Sequence, residues 1–357
     1  MERKKVLIVD DSAFMRKVIS DFIAKDARLE VAGTARNGTD AVEKAARLEP
    51  DVITMDVEMP GMDGLEALDL IMREKPTPVV MLSSTTFEGA QNAIKAMELG
   101  AVDFVAKTSG PISLDLHTVQ QELTDKVYTA AGANMNAFTS AVSTSPAITG
   151  SKEKTAQASV SKQARGNLVL IGTSTGGPRA LQEVLKNLPA SLPAPILVVQ
   201  HMPPGFTKSL AGRLDALSAI TVKEAEEGEI LRAGTVYIAP GGYHMTVKAV
   251  GRSLAVMLDQ SEPVNGHRPS VDRLFQSVSR LSGIWVTAVV LTGMGSDGTE
   301  GICSLKEDQY TYILAESEET AIVYGMPKTA VNTGKVDKIA PLGEIAGEIA
   351  KRYKDRE

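Results

Sequence analysis

The stretch Ile171–Pro178, IGTSTGGP, decides how the second half of this 357-residue chain folds. An apolar run, Asn167–Ile171, leads into it, and apolar residues recur at helical spacing over Arg179–Leu188. The pattern predicts a strand, a glycine turn and a helix. Small neighbours let a substrate approach Ser174, and the amides at a helix start carry positive partial charge. This segment alone supports two hypotheses equally: a phosphate-holding or purely structural turn, and a turn that carries Ser174 as a nucleophile.

Two later apolar runs end in turns that favour the nucleophile. Pro195–Gln200 is followed by His201, and Trp285–Thr292 by a glycine-rich turn containing Asp297. The carboxyl ends of parallel strands share one edge of a sheet, so these side chains and Ser174 can meet there. A serine hydroxyl needs a base, and an imidazole oriented by a carboxylate supplies one. Each residue alone has a structural explanation, as a strand-end or capping residue, but the three together predict a hydrolytic site.

The string Gly172–Gly176 matches the G-x-S-x-G pattern of α/β-hydrolases. That fold has the chain order Ser, Asp, His, whereas this chain has Ser174, His201, Asp297, so we expect a different sheet with a convergent site. A dinucleotide-binding fold is disfavoured because G-x-G-x-x-G spacing and a distal ribose-binding acid are missing from the sequence. Glycine-turn amides, that of Met294 among them, are candidates for an oxyanion hole.

The first part of the chain alternates short apolar runs with amphipathic stretches. Strands are predicted just after Lys5 and at four further runs: Leu29–Ala35, Val52–Asp56, Val79–Ser83 and Val102–Lys107. Five βα units predict a doubly wound parallel sheet, whose ligands gather at the carboxyl ends of the strands.

Acidic side chains and one lysine stand at these predicted strand ends. Asp10 and Asp11 follow the first strand, Asp56 ends the third, Ser83 the fourth and Lys107 the fifth. Three converging carboxylates repel one another unless a hard cation such as Mg²⁺ offsets their charge. Asp56 could then accept a phosphoryl group, with Lys107 neutralising charge and Ser83 hydrogen-bonding to its oxygens. One such aspartate often only caps a helix, but the whole set predicts a phosphorylation site.

The motifs VLIVDDS, DVEMPGMDG, VVMLSS and DFVAK resemble the receiver domain of two-component response regulators, over residues 1–131. The resemblance implies phosphorylation of Asp56 by a histidine kinase. It implies Mg²⁺ held by three carboxylates and one backbone carbonyl: Asp10, Asp11, Asp56 and, through its carbonyl, Glu58. It implies a switch that uses three residues: Ser83, Phe104 and Lys107. Many receivers have tyrosine at the position of Phe104.

Residues 132–165 are mostly small and polar and offer too little apolar surface for a core. We predict a flexible linker there, between a receiver domain over 1–131 and a catalytic domain over 166–357. Such a linker would let one domain move against the other.

Six motifs of the second part are similar to the catalytic domain of the CheB family, the chemotaxis protein-glutamate methylesterases and protein-glutamine glutaminases: GTSTGGP, QHMPPGFT, APGGYHM, GHRPSVDRLF, TGMGSDG and YGMPKTAV. The similarity implies an α/β domain with a mostly parallel sheet that hydrolyses glutamyl methyl esters on chemoreceptors and often deamidates receptor glutamines. It implies Ser174 as nucleophile, His201 as base and Asp297 as orienting carboxylate, with Thr175 and Met294 beside the reacting centre.

The stretch Lys306–Glu316 departs from that family pattern. It lacks the glycine pair expected near Asp308 and Gln309, and Glu316 stands where the family commonly has glutamine. The departure concerns the local loop and substrate preference, not the three site residues.

Four further residues are expected to be structural. His244 and His267 lie in motif-like turns, where we slightly favour hydrogen-bonding roles over a place in the substrate cleft. His117 should lie on the surface of a receiver helix. Cys303, the only cysteine, excludes disulfides and thiolate metal sites, and we expect it to be a small buried residue.

The composition limits location and partners. A net charge of −6 gives no sequence-wide attraction to nucleic acid or anionic lipid. The N-terminus lacks a signal-peptide pattern and no run is long enough to span a membrane, so we predict a cytoplasmic protein without membrane insertion.

The leading hypothesis is a phosphorylation-activated ester hydrolase whose receiver restrains the Ser174 cleft at rest. Its partners would be methyl-accepting chemoreceptors and a histidine kinase, with Mg²⁺ for phosphorylation and no cofactor for ester hydrolysis. The alternative is a response regulator whose output domain only docks on a partner. A DNA-binding output domain is disfavoured because no basic helix-turn-helix segment follows the linker.

Overall fold

The protein is described from a computed structural model that covers residues 2–107, 116–137, 166–307 and 310–354. Most of the predicted linker, as well as Asp308 and Gln309, lies outside these ranges. His117 lies on a helix, but its side chain is outside the described part.

The first part of the chain alternates strands and helices, as its hydrophobic pattern predicts. Its elements are β1 (Lys4–Val9), α1 (Ala13–Lys25), β2 (Leu29–Ala35), α2 (Gly38–Leu48), β3 (Val52–Asp56), α3 (Gly64–Glu74), β4 (Val79–Ser84), α4 (Phe87–Leu99), β5 (Asp103–Lys107) and α5 (Leu116–Ala130). The strands pair in parallel in the order β2-β1-β3-β4-β5. The predicted doubly wound receiver sheet is confirmed.

The second part forms a larger parallel sheet and a separate hairpin. Its elements are β6 (Asn167–Thr173), α6 (Gly177–Lys186), β7 (Ile196–Gln200), α7 (Phe206–Leu217), β8 (Thr221–Glu224), β9 (Thr235–Ile238), β10 (His244–Val250), β11 (Ser253–Asp259), α8 (Val271–Ser279), β12 (Trp285–Val290), α9 (Thr299–Leu305), β13 (Thr311–Glu316), α10 (Met326–Asn332), β14 (Lys338–Ala340) and α11 (Leu342–Lys354). The strand order is β14-β13-β12-β6-β7-β9-β8, all parallel, while β10 and β11 pair antiparallel. The predicted α/β domain with a mostly parallel sheet is confirmed.

The centre of the larger sheet aligns the three loops that carry the predicted hydrolytic residues. Strand β6 lies between β7 and β12, with Thr173 opposite Gln200 and Gly172 opposite Val290. The loops after these three strands therefore open at the same edge, which is where ligands of parallel sheets bind.

Helix α6 begins two residues before the predicted start. Its N-terminal boundary is Gly176, with a φ of 77°, and a proline occupies its first turn. Left-handed backbone of this kind is readily adopted by glycine, and proline is well tolerated at a helix start, where its missing N–H costs no hydrogen bond. The helix therefore begins directly behind the serine-bearing turn.

Apolar packing continues from one sheet to the other. A single buried cluster includes Ile94 and Met97 of α4 together with Leu210 and Leu214 of α7. Within the same cluster, the Phe104 ring stacks on Phe206 with 4.6 Å between ring centroids. The two parts of the chain therefore share a core in this arrangement.

Residues at the start of the predicted linker also contact the second part. The Asn134 N–H donates to Ile322 O at 2.9 Å, and its side-chain amide donates to Glu319 O at 3.0 Å. A guanidinium N–H of Arg179 donates to Ala137 O at 3.2 Å.

The expectation that Cys303 is buried is wrong. Cys303 is exposed on α9, because that short helix turns Ile302 and Leu305 toward the core and the intervening residues outward. None of the helices in the described ranges has the length and apolar character needed to cross a bilayer.

Candidate active site

The Ser174 turn is fixed by hydrogen bonds to its backbone. The Gly177 N–H donates to Ser174 O at 2.7 Å, and the side-chain amide of Gln200 donates to the same oxygen at 2.9 Å. A Cβ atom on Gly177 would lie 1.9 Å from Gln200 Oε1, so a side chain there would displace the amide group that holds the turn. Ser174 itself is half-buried, between a buried strand and a buried helix start.

Thr292, just past β12, holds the same turn from its other side. Its carbonyl accepts from Ser174 N–H at 3.1 Å and from Thr173 Oγ1 at 2.8 Å. Its hydroxyl donates to Thr175 O at 3.0 Å. A Cβ atom on the next residue, Gly293, would lie 2.9 Å from Ser174 Cβ. The glycine turn after β12 is therefore packed directly against the serine.

His201 and Asp297 form a buried pair next to this turn. His201 Nε2 lies 2.8 Å from Asp297 Oδ2, and the two side chains are only 7% and 1% exposed. The His201 backbone N–H donates to Thr173 O at 3.3 Å, so the histidine follows its strand beside the residue that precedes Ser174. The structure thus brings together the loops of all three predicted residues.

The backbone at the start of α8 surrounds the Asp297 carboxylate. Its Oδ2 accepts from Val271 N–H at 2.7 Å, and its Oδ1 accepts from Asp272 N–H at 3.0 Å and from Ser270 Oγ at 2.9 Å. Burial alone would raise the pKa of Asp297. The hydrogen bond and charge of His201, aided by these amides, outweigh burial and hold that pKa well below its usual range. Asp297 is therefore an acceptor on both oxygens.

The ionised Asp297 assigns the proton on the histidine ring. A carboxylate can only accept, so His201 Nε2 carries the hydrogen and Nδ1 carries the lone pair. Nδ1 is buried and has no hydrogen-bond partner within the described ranges. In the same ranges no hydrogen bond joins the Ser174 hydroxyl to His201. The predicted base therefore contacts its predicted carboxylate, and its Nδ1 is unpaired among the described residues.

A second buried carboxyl, Asp272, stands behind Asp297. Its Oδ1 accepts from Gly301 N–H, at the start of α9, at 2.7 Å. Burial, followed by the charge of Asp297, raises the pKa of Asp272 to about 7 against the lowering effect of the Gly301 amide. Asp297 therefore binds the start of α8, and Asp272, in the first turn of α8, binds the start of α9. The motif spacing did not predict this arrangement.

His267 packs on the predicted base. Its ring lies parallel to that of His201, with 3.8 Å between centroids and 7° between planes. Burial, the charge of His201 and, with a smaller effect, Lys126 lower the pKa of His267 to about 4, although Asp297 opposes them. A neutral ring therefore fixes the plane of His201. His244, by contrast, is fully buried, and its Nε2 lies 3.1 Å from Glu262 O.

The receiver contacts both residues predicted beside the reacting centre. The Thr175 hydroxyl donates to Asp103 Oδ2 at 2.5 Å, and the Met294 sulfur accepts from Thr129 Oγ1 at 2.8 Å. The amide next to Thr175, that of Gly176, donates to a receiver carbonyl at 3.2 Å. The beginning of β5 and the end of α5 therefore lie against the Ser174 turn.

The second candidate site lies at the carboxyl edge of the receiver sheet. Ligand oxygens of Asp10, Asp11 and Asp56 all lie within 4.8 Å of one another. Lys107 Nζ lies 2.7 Å from Asp56 and 3.1 Å from Asp10. Burial raises the pKa of Asp56, and the charge of Asp10 adds to it, while Lys107 acts in the opposite direction. A closely spaced set of hard oxygen donors with unbalanced charge fits Mg²⁺.

Three further receiver residues are predicted to bind the metal or to act in the switch: Glu58, Ser83 and Phe104. Glu58 lies with Asp11 on an open cavity of about 510 Å³. The buried Ser83 hydroxyl donates to Gly89 O at 2.7 Å, in the first turn of α4. Phe104 is 2% exposed because it is covered by Phe206.

Comparisons with known proteins agree with the two parts of the fold. Residues 169–349 match the family model described as CheB methylesterase, and residues 6–118 match the response regulator receiver domain. A curated relative from Geobacillus kaustophilus strain HTA426, named protein-glutamate methylesterase/protein-glutamine glutaminase, is 57% identical over 351 residues, which are 98% of this chain and 99% of the relative. A relative of the same name from Thermotoga maritima is 47% identical over 342 residues, 96% of each chain. The crystal structure of the Thermotoga maritima CheB methylesterase catalytic domain superposes with a TM-score of 0.51 at 46% identity and covers 53% of this chain and all of that one.

Proposed function

This chain belongs to the CheB methylesterase family and carries a response regulator receiver domain, and from that premise we propose that it hydrolyses glutamyl methyl esters of chemoreceptors at Ser174. The relatives' names support a second reaction, deamidation of receptor glutamines at the same site. The His201–Asp297 pair, with a buried lone pair at Nδ1 beside the Ser174 turn, carries the proposal.

The reaction follows from the protonation states of the pair. Ser174 Oγ attacks the ester carbonyl carbon, and its proton passes to His201 Nδ1. Asp297 stabilises the imidazolium through Nε2–H. The carbonyl then re-forms, the methoxy group leaves as methanol with the proton from Nδ1, and an acyl-serine remains. Water, deprotonated by Nδ1, hydrolyses this ester to release the glutamate side chain; with an amide substrate, ammonia leaves instead.

The glycine turn after β12 supplies the electrostatic part of the mechanism. The Met294 amide follows Gly293, which packs on Ser174, and this amide has no acceptor within the described ranges. This unpaired amide near Ser174 supports the proposal that Met294 donates to the oxyanion, a contact typically worth about 3 kcal/mol in such sites.

Asp56 is the proposed phosphoacceptor, and a histidine kinase the phosphodonor. Asp10, Asp11 and Asp56, with the Glu58 carbonyl, would hold Mg²⁺, which supplies positive charge opposite the phosphoryl oxygens. Lys107 contacts two of these carboxylates and neutralises the remaining charge.

The receiver restrains the esterase site in the arrangement described above. Asp103 of the receiver binds the Thr175 hydroxyl, and Thr129 binds the Met294 sulfur. A receptor helix cannot contact these two atoms while the bonds are in place. Phosphorylation of Asp56 would favour an arrangement in which these contacts are released. Phe104 links the two, because it lies in β5 and stacks on the catalytic domain.

Ser174→Ala tests the proposed nucleophile. Methanol release from methylated receptor should fall by about 10⁶-fold, as in enzymes that lose such a serine, while Mg²⁺-dependent phosphorylation of Asp56 by a small phosphodonor stays unchanged. Ser191→Ala, at an exposed loop position after α6, is the matched control. Methanol release that survives in Ser174→Ala would refute the assignment and favour a docking role for the output domain.

A further inference from the structure

Glu316 is a buried carboxyl that the proposed mechanism does not use. It ends β13, one strand away from the strand that leads to Thr292, and is 0% exposed. Its Oε2 accepts from Thr292 N–H at 2.8 Å, and its Oε1 accepts from Thr320 Oγ1 at 3.0 Å. No ion pair within the described ranges includes it. Burying a carboxyl without a cation is costly, so it requires a specific reason.

Thr292 connects this carboxyl to the proposed nucleophile. The peptide N–H that Glu316 binds belongs to the same residue whose carbonyl accepts from Ser174 N–H and whose hydroxyl donates to Thr175 O. Glu316 is therefore two hydrogen bonds from the Ser174 backbone. It is also the side chain that fixes the start of the turn leading to Met294.

Both partners of Glu316 donate to it. Thr292 N–H can only donate. The Thr320 hydroxyl accepts from Leu342 N–H at 2.9 Å and donates its own hydrogen to Glu316. An amide at this position could accept from Thr292 N–H through its oxygen and donate through its NH₂ group to the second lone pair of the Thr320 hydroxyl. A carboxylate and an amide can therefore both make this link, and they differ in charge.

We propose that Glu316 is a positioning residue for the reaction at Ser174, holding the Ser174 turn through its hydrogen bond to the Thr292 backbone. This inference rests on the proposed hydrolysis at Ser174 and adds to it a residue outside the site. Because Thr292 binds both Ser174 and Thr175, a shift of its peptide moves the nucleophile, and small displacements of a reacting group lower kcat strongly.

Glu316 should make the reaction sensitive to pH near neutrality. Burial raises the pKa of Glu316 to about 7, against the lowering effect of its bonds from Thr292 and Thr320. The titratable groups on the surrounding elements do not hydrogen-bond to it: Glu318, Glu319, Tyr324, Lys338 and Glu344. The ionised form accepts from Thr292 more strongly than the acid does, so the turn is held best above the pKa.

The test compares Glu316→Gln with wild type and with Glu318→Gln, which makes the same change at an exposed position two residues away. Activity of the phosphorylated full-length enzyme is measured from about pH 5.5 to about pH 9. A third variant, Glu316→Leu, removes the acceptor of Thr292 N–H, so its kcat should fall roughly tenfold with KM changed less than about twofold. Glu316→Gln keeps an acceptor oxygen, so its kcat at high pH should stay within about twofold of wild type. In a plot of log kcat against pH, the low-pH limb should have a slope above one in wild type and Glu318→Gln, because two groups then titrate. The slope should be one in Glu316→Gln, which lacks the second titrating group.

A kcat in Glu316→Leu equal to that of wild type, or a low-pH slope in Glu316→Gln equal to that of wild type, would overturn the proposal. If Glu316→Leu does not fold, Thr320→Val replaces it, with Thr320→Ser as control. Removing the Thr320 hydroxyl takes away a bond that lowers the pKa of Glu316, so the steep limb should move to higher pH in Thr320→Val and stay in place in Thr320→Ser. A limb that does not move contradicts the proposal.

A second readout separates this proposal from the proposed function. The Thr292 amide proton, which bonds to Glu316, should titrate with a midpoint near pH 7 in the nuclear magnetic resonance spectrum of wild type and not in that of Glu316→Gln. If ester hydrolysis is absent but this titration is present, the proposed function fails and the Glu316–Thr292 coupling stands. An amide that does not titrate in wild type refutes the coupling itself.

Discussion

Asp56 and Asp297 are both buried carboxyls at the carboxyl edge of a parallel sheet, yet their pKa values shift in opposite directions. Burial and the neighbouring Asp10 raise the pKa of Asp56, and one lysine is not enough to reverse this. Burial acts on Asp297 as well, but His201 and three donors at the start of α8 outweigh it. Burial is therefore not what distinguishes the two sites.

The number of hydrogen-bond donors aimed at each carboxylate distinguishes them. Asp297 is solvated by the protein itself, so it keeps a constant charge and orients His201. Asp56 lies among like charges and is left short of positive charge, which suits the cation and the phosphoryl group proposed for it. The charge at Asp297 is thus constant, whereas the charge at Asp56 depends on what binds there.

The largest effect expected from this comparison comes from Asp297→Asn. The amide NH₂ would face donors, and the ring of His201 would lose the acceptor that fixes its tautomer, so the rate of methanol release should fall by about 10⁴-fold with or without phosphorylation. The corresponding Asp56→Asn should keep the basal rate and lose only the response to a phosphodonor. Similar losses of basal rate in both variants would mean that the two sites are not separate.

Removal of divalent cations should affect only the receiver site around Asp56. With a chelator present, a small phosphodonor should no longer stimulate methanol release, because Asp10, Asp11 and Asp56 lack the charge that offsets the phosphoryl group. The basal rate should not change. Phosphorylation is monitored by the electrophoretic mobility of the intact protein. Stimulation of methanol release that persists without divalent cations would contradict the Mg²⁺ assignment.

The contact between the two domains should have an intermediate effect. Asp103→Ala removes the acceptor of the Thr175 hydroxyl, and hydrogen bonds to charged groups contribute about 1.5 to 3 kcal/mol. The unphosphorylated rate should therefore rise by roughly tenfold, and the phosphorylated rate should change little. Asp69→Ala, which removes a half-exposed partner of Arg73 on α3, is the control. An unchanged basal rate in Asp103→Ala would show that this bond does not restrain the site.

The smallest effect is on stability as pH changes, and its sign differs between the two carboxyls. Because the folded pKa of Asp56 is raised, its contribution to stability is fully present below its unfolded value of 3.8 and is lost as pH rises through the folded value. Asp297, whose pKa is lowered, contributes stability above 3.8 that is lost as pH falls. Near pH 7.5 without divalent cations, Asp56→Asn should raise the thermal midpoint by a few degrees and Asp297→Asn should lower it. Shifts of the same sign in calorimetry would contradict the comparison.

The sheets were predictable because their signals are local. Four of the five receiver strands are short apolar runs with a chemistry-bearing residue at the end, and the same rule pointed to Ser174 and His201. The roles of these residues remain predictions. The support around them is not local: Asp297 depends on amides 25 and 26 positions earlier, and Thr292 on Glu316.

What the sequence did not predict also depends on contacts that are distant along the chain. Cys303 is small and apolar, but which face of α9 meets the core is decided by Ile302 and Leu305. The stack of His267 on His201 and the approach of Asp103 to Thr175 depend on how whole elements pack. No spacing in the sequence encodes those distances.

The apolar cluster between α4 and α7 should make the closed arrangement of the two domains depend on temperature. Separating the two domains would expose Ile94, Met97, Leu210 and Leu214 to water, which carries a positive change in heat capacity. The hydrophobic share of the closed arrangement therefore weakens on cooling. We expect the ratio of phosphorylated to unphosphorylated activity, measured at several temperatures, to shrink in the cold, so that a chilled cell would demethylate its receptors with less need of a signal from the kinase.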